Sequence, residues 1–159
     1  MLEVSGAVMK TLFMILAAFG SHDFSDFETE FNCLQENVFF EARNQPYEGM
    51  LAVATVTMNR VTSGNYPDSI CEVVHQKVAG AQQFSWVGRV NREAIRWNVI
   101  EEQAWELAGI AAFEVLFTGP MSGLEDAKFF KTTKVQSRFH RNQIHLSTIG
   151  DHEFYARSN

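Results

Sequence analysis

Phe27, Phe31, Leu34 and Val38 recur at steps of four, three and four residues, and the next position on that stripe is a carboxylic acid, Glu41. Steps of this size keep side chains on one side of an α-helix. The stripe therefore predicts a helix packed on a core, with the acid near its end pointing inward. Burial disfavours the charged form of a carboxylate and raises its pKa. That is how such a group stays protonated near neutrality and can give a proton to a leaving group. Read without function, Glu41 is a helix-end residue whose head group turns to solvent or pairs with Arg43.

The surrounding pattern is mostly helical. Asp23 to Phe27 reads as a linker and cap, and the first helix runs to about Arg43, where Asn44-Gln45-Pro46 interrupts it. Pro46 suits the first turn of a second helix, with Glu48 at the positive end of its dipole. Met50, Val53, Ala54, Thr57 and Val61 form its inward stripe, and Ser63-Gly64-Asn65 ends it. A short third helix is predicted from Pro67 to about Lys77 through Ile70, Val73 and Val74. A longer one carries Ala104, Leu107, Ala108, Ala111 and Val115 on one face and stops at Gly119-Pro120. Beyond Gly123 the helical period vanishes, and Lys128 to Lys131 and Glu153 to Tyr155 read as short strands. The expected class is α+β, predominantly α, with a small irregular β region near the C-terminus. Glu41 then sits at a junction between two helices.

Between these helices, Gly80 to Val90 has no period and contains Gln83-Phe84-Ser85-Trp86. Aromatic rings beside amides and hydroxyls are what a sugar site uses, because pyranose faces stack on rings while polar groups orient the substituents. The alternative is a loop with two rings tucked into the core.

A chain of 159 residues, 46% hydrophobic, is one domain with a single core. Its formal charge of −6, with 13 basic residues in no dense cluster, argues against a nucleic-acid partner, since duplex binding rests largely on neutralising phosphates. Met9-Lys10 followed by an apolar run from Thr11 to Phe19 and then Gly20-Ser21 has the layout of a secretory signal over about residues 9–20. The run is too short to cross a bilayer, which takes roughly 20 apolar residues. Residues 1–22 are accordingly expected to be a signal-like or anchoring segment, with transient membrane association through it, and residues 23–159 the working domain. The alternative is an apolar N-terminal helix packed on the domain. Cys33 and Cys71 make an even count, which in an exported protein predicts a disulfide, and in a cytosolic one two buried thiols.

Five blocks, in order, carry a family resemblance. They are Cys33 to Arg43, Pro46 to Ala54 continuing to Asn59-Arg60-Val61, Tyr66 to Val74, Gln83 to Trp86, and Ile149 to Tyr155. Together they resemble the catalytic domain of the SleB-type cell wall hydrolases, a family of spore-cortex-lytic enzymes and some phage lysins. The resemblance implies a fold similar to goose-type lysozymes and lytic transglycosylases. It also implies that Glu41 acts first as acid and then as base, while the C6 hydroxyl of N-acetylmuramic acid closes an anhydro ring. The partner would be the glycan strands of peptidoglycan, cut between N-acetylmuramic acid and N-acetylglucosamine, with no metal or organic cofactor. The protein would work as a monomer, exported to the periplasm or cell wall or released as a phage lysin. It places Gln83, Phe84, Ser85 and Trp86 in the cleft, and Glu48 and Tyr155 join them as candidate substrate contacts. Where many relatives carry a His-aromatic-His segment, this chain has Ala127 to Thr132, with Lys128 and Lys131 around two phenylalanines.

The chemistry read from the residues agrees with a single acid. Glycoside cleavage commonly uses two carboxylates. Glu36 lies five residues from Glu41, well around the helix, Glu48 is equally suited to serving a helix dipole, and no spacing brings Asp151 or Glu153 to the cleft. Two other classes compete. A glycan-binding module without turnover would keep the aromatic cleft. A metal-dependent amidase would need clustered ligands, and His140, His145 and His152 at steps of five and seven do not form a helical zinc pair.

Overall fold

The computed structural model describes residues 21–158. Helix α1 spans Ser21–Ala42, α2 Tyr47–Thr62, α3 Ile70–His75 and α4 Val99–Thr118. Strands β1 (Lys77–Val78) and β2 (Ala81–Gln82) form a small hairpin, and β3 (Ala127–Thr132), β4 (Ile144–Ile149) and β5 (His152–Ala156) form an antiparallel sheet in the order β3-β5-β4. Single turns of 3₁₀ helix cover Arg92–Ala94 and His140–Asn142. The α+β, mainly helical expectation holds.

The stripe that predicts α1 is its buried face: Phe31, Leu34 and Val38 are core residues, joined by Phe39 and Ala42. Burying a side chain of this size contributes about 1.5–3 kcal/mol, so the stripe is enough to anchor α1 among α2, α3 and α4. Close approach of α1 and α4 depends on Gly109. Gln35 Nε2 donates to Trp105 O across the two helices at 3.0 Å, and a Cβ on Gly109 would come within 2.7 Å of that nitrogen.

A second joint is covalent. Cys33 on α1 and Cys71 on α3 form a disulfide with their Cα atoms 5.2 Å apart. Beside it, Glu30 of α1 accepts from the backbone N–H groups of Ile70 and Cys71, two donors that the first turn of α3 leaves unpaired. Ser69 completes that end by accepting from the Glu72 N–H at 3.2 Å.

Several expectations need correction. Asp23 to Phe27, expected as a linker and cap, is helical, and the boundary drawn between residues 22 and 23 falls inside α1. The signal-like segment at residues 9–20 lies outside the described residues. α3 is shorter than the predicted Pro67 to Lys77, because Ser69 is its N-cap and Lys77 already pairs with Gln82 in a strand. Leu107, expected inside with Ala104, Ala108, Ala111 and Val115, is 42% exposed. β4 escaped prediction because its exposure does not alternate, and its register with β5 shifts between His145 and Ser147.

Candidate active site

The junction between α1 and α2 places the acid. α1 ends one residue after Glu41, Pro46 caps α2, and Glu41 is half-buried where the two helices meet the loop after β2. Burial pushes its carboxyl up from an ordinary 4.5 to about 7, while a backbone hydrogen bond from Ser85 and the charge of Arg60 pull the other way. The inward acid expected from the stripe is therefore present, as a group that exchanges its proton near neutrality.

Among the described residues, Arg60 is one of two buried polar residues beside the acid that the sequence pattern does not single out. It follows Val53 and Thr57 on the inward side of α2 and is 5% exposed, whereas Val61, expected at the end of that stripe, is only half-buried. Its Nε donates to Lys128 O at 2.9 Å, and its guanidinium carbon lies 5.1 Å from the Phe84 ring centroid and 5.4 Å from that of Tyr66. The spacing from Thr57 was the available signal, since a cation three residues on shares the buried side as well as Val61 does.

Asn37 was missed for a similar reason. It lies three residues after Leu34, on the buried side of α1, and is fully enclosed. Its amide donates to Thr57 Oγ1 at 3.1 Å and its carbonyl accepts from the Trp86 indole N–H at 2.9 Å. The loop carrying Ser85 is thereby tied to both helices that frame Glu41.

The other expected site residues divide. Ser85 exposes its side chain and reaches Glu41 through its backbone. Gln83 is half-buried and lines a cavity of about 490 Å³ that Arg60 also lines. Phe84 and Trp86 are 2% and 9% exposed, the first beneath Arg60 and the second stacked on Phe40 at 4.6 Å. Both rings pack the loop onto the core, as in the alternative reading of this segment, and little of either ring face is exposed. Glu48 is exposed in the first turn of α2, with no hydrogen bond or ion pair to Glu41 among the described residues. Tyr155 belongs to a group on the sheet, where its hydroxyl donates to Glu153 Oε2 at 2.6 Å and Lys131 pairs with the same carboxylate. The Lys131 bond, followed by the Tyr155 hydroxyl, holds Glu153 below the usual carboxylate range.

His140, His145 and His152 make separate contacts. His152 is buried against Phe130 and desolvation lowers its pKa; His140 bonds Ser137 Oγ at 2.8 Å, and His145 bonds Thr148 Oγ1 at 3.0 Å. Among the described residues no three potential ligands are grouped to hold a metal ion.

Comparison with known proteins fits this geometry. The family model described as Cell Wall Hydrolase matches residues 44–155. The chain belongs to this cell wall hydrolase family. Glu41 lies just ahead of the matched span, on the helix that leads into it. Among relatives, the spore cortex-lytic enzyme of Bacillus subtilis (strain 168) is 34% identical over 79 residues, covering 43% of this chain and 26% of that protein. The spore cortex-lytic enzyme of Oceanobacillus iheyensis is 37% identical over 49 residues, 31% of this chain and 18% of that protein. The match thus spans about a quarter or less of these relatives' length. In fold, the chain is similar to the catalytic domain of the germination-specific lytic transglycosylase SleB from Bacillus anthracis, with a TM-score of 0.59 at 24% identity, covering 79% of this chain and 93% of that one. The Bacillus cereus SleB catalytic domain gives 0.58 at 24%, covering 80% and 90%.

Proposed function

We propose that this cell wall hydrolase is a peptidoglycan lytic transglycosylase with Glu41 as its one catalytic carboxyl group. The observation that carries the reading is the setting of Glu41. It is a desolvated acid titrating near 7, and the charge acting on it is that of Arg60, with no second carboxylate among the described residues contributing. A group with that pKa can give a proton and take one back with little driving force lost in either direction. In the proposed reaction the Glu41 proton passes to the glycosidic oxygen as the bond from C1 of N-acetylmuramic acid breaks. The C6 hydroxyl of the same sugar then attacks C1, and its proton returns to the Glu41 carboxylate. The product is a 1,6-anhydro ring, no water is consumed, and the enzyme regains its starting state.

Supporting observations are the family membership, the fold shared with SleB catalytic domains, and the Ser85 loop fastened over the acid by Asn37 and Trp86. Export is part of the same reading, supported by the Cys33–Cys71 disulfide, since such bonds persist in oxidising compartments.

Mass analysis of fragments released from purified peptidoglycan tests the proposal. Anhydro-muramic termini are expected. Fragments that uniformly carry an added water would replace transglycosylation with hydrolysis, and binding without fragment release would leave a glycan-binding module.

A further inference from the structure

The cavity above Arg60 has a chemistry that general sugar binding does not require. It is lined by Arg60, Arg157 and His140, with no aspartate or glutamate in its wall, although the chain carries a formal charge of −6. A cationic hollow on an acidic protein concentrates anions. Arg60 Nη1 is buried without a hydrogen-bond partner among the described residues, and Gln76 Oε1, in the same wall, is an acceptor likewise unpaired. Buried polar atoms are almost always paired. Two unpaired ones on residues that line a single cavity leave hydrogen-bonding capacity there that the protein itself does not use. Phe130 and Phe139 give the remaining wall an apolar character.

We propose that this cavity is a subsite for a carboxylate carried on the glycan strand, either the lactyl carboxylate of muramic acid or a carboxylate of the stem peptide attached there. The carboxylate accepts from the Arg60 guanidinium and is attracted by Arg157, and on strands that keep their stem an amide N–H of the stem donates to the Gln76 side chain. The substituent's methyl groups meet the phenylalanine wall. The position has a catalytic consequence, because Arg60 also acts on Glu41. A bound carboxylate offsets the guanidinium charge, weakens its pull on Glu41 and favours the protonated acid, so that the correct strand readies its own proton donor. The inference rests on the reading of Glu41 as the acid that cuts peptidoglycan, and its test is independent of turnover.

Soluble strands are prepared with stems intact and with stems removed by an amidase, which leaves the lactyl carboxylate, and each is also amidated with carbodiimide and methylamine. Equilibrium binding is measured on the Glu41→Gln background, where strands stay whole, with and without Arg157→Gln. Amidation should weaken binding at least about fivefold. Arg157→Gln should lose a similar factor on carboxylate strands and nothing further on amidated ones. A loss on amidating stripped strands assigns the lactyl group; a loss confined to intact strands assigns the stem. Equal binding before and after amidation of both strand types overturns the subsite. So does an Arg157→Gln variant that loses nothing, or loses equally on both forms. Strand cleavage by the wild-type chain, measured alongside, reports on Glu41 separately: turnover without carboxylate discrimination leaves the acid and removes the subsite, and the reverse leaves the subsite alone.

Discussion

The Trp86 indole N–H donates to Asn37 Oδ1 at 2.9 Å in the interior between α1 and the loop that covers Glu41. Asn37 also donates to Thr57, so one enclosed amide joins α1, α2 and the loop. Asn37→Leu leaves the indole donor without an acceptor and should cost about 1–3 kcal/mol. Adding Trp86→Phe removes that donor, and the double variant should recover part of the loss. Denaturant unfolding of the three variants checks the ordering; an Asn37→Leu protein as stable as wild type would show that the amide does not fasten the loop.

Glu41→Gln keeps the side-chain volume and cannot give a proton. Release of fragments from peptidoglycan should fall at least about 10²–10⁴-fold, while binding of intact strands and the circular dichroism spectrum stay unchanged. A folded variant cleaving near the wild-type rate removes Glu41 from the chemistry.

The raised pKa of Glu41 fixes the sign of two pH dependences. Cleavage needs the protonated acid, so the rate should decline as pH rises through about 7. Stability follows by linkage. The folded state keeps a proton that the unfolded chain releases above an ordinary 4.5, so the unfolded state binds fewer protons and stability falls as pH rises from 4.5 to about 7, then levels off. Glu41→Gln lacks this loss. Its melting-temperature advantage over wild type should therefore be small at the acid end of the window and widen across it; a constant difference would contradict the raised pKa.

Opening the Cys33–Cys71 bond frees a loop with a sequence separation of 38 residues. The chain-entropy model gives a cost of about 4 kcal/mol. Cys71→Ser, read by thermal melting against wild type, should show a loss of that order, and thiol counting under denaturing conditions should find none free in protein from an oxidising compartment.

The parts of this molecule legible in its sequence are those where polarity alternates cleanly with helical geometry. α1 could be read because Phe31, Leu34 and Val38 recur at helical steps, and Glu41 stood out because it breaks that pattern. Arg60 and Asn37 also sit on buried faces, yet each lies beside an apolar neighbour, Val61 and Val38, that satisfied the pattern without them. The Gln83 to Trp86 loop was placed at the site, but sequence could not tell a ring offered to a sugar from one packed into the core. β4 has no alternation to read, since its residues are exposed or half-buried and its pairing is irregular.

The hairpin between β4 and β5 reaches back across the chain. Gln45, in the turn between α1 and α2, accepts from the Asp151 backbone N–H at 2.8 Å over a separation of 106 residues. At Gly150 beside it φ is +56°, and a Cβ there would fall 2.4 Å from Gln45 Oε1. The turn that follows Glu41 is thus held by a segment 106 residues further along the chain. Packing of α1 on α2 and the disulfide between α1 and α3 therefore leave this turn without its long-range brace, and the setting of Glu41 is complete only once β4 and β5 have paired.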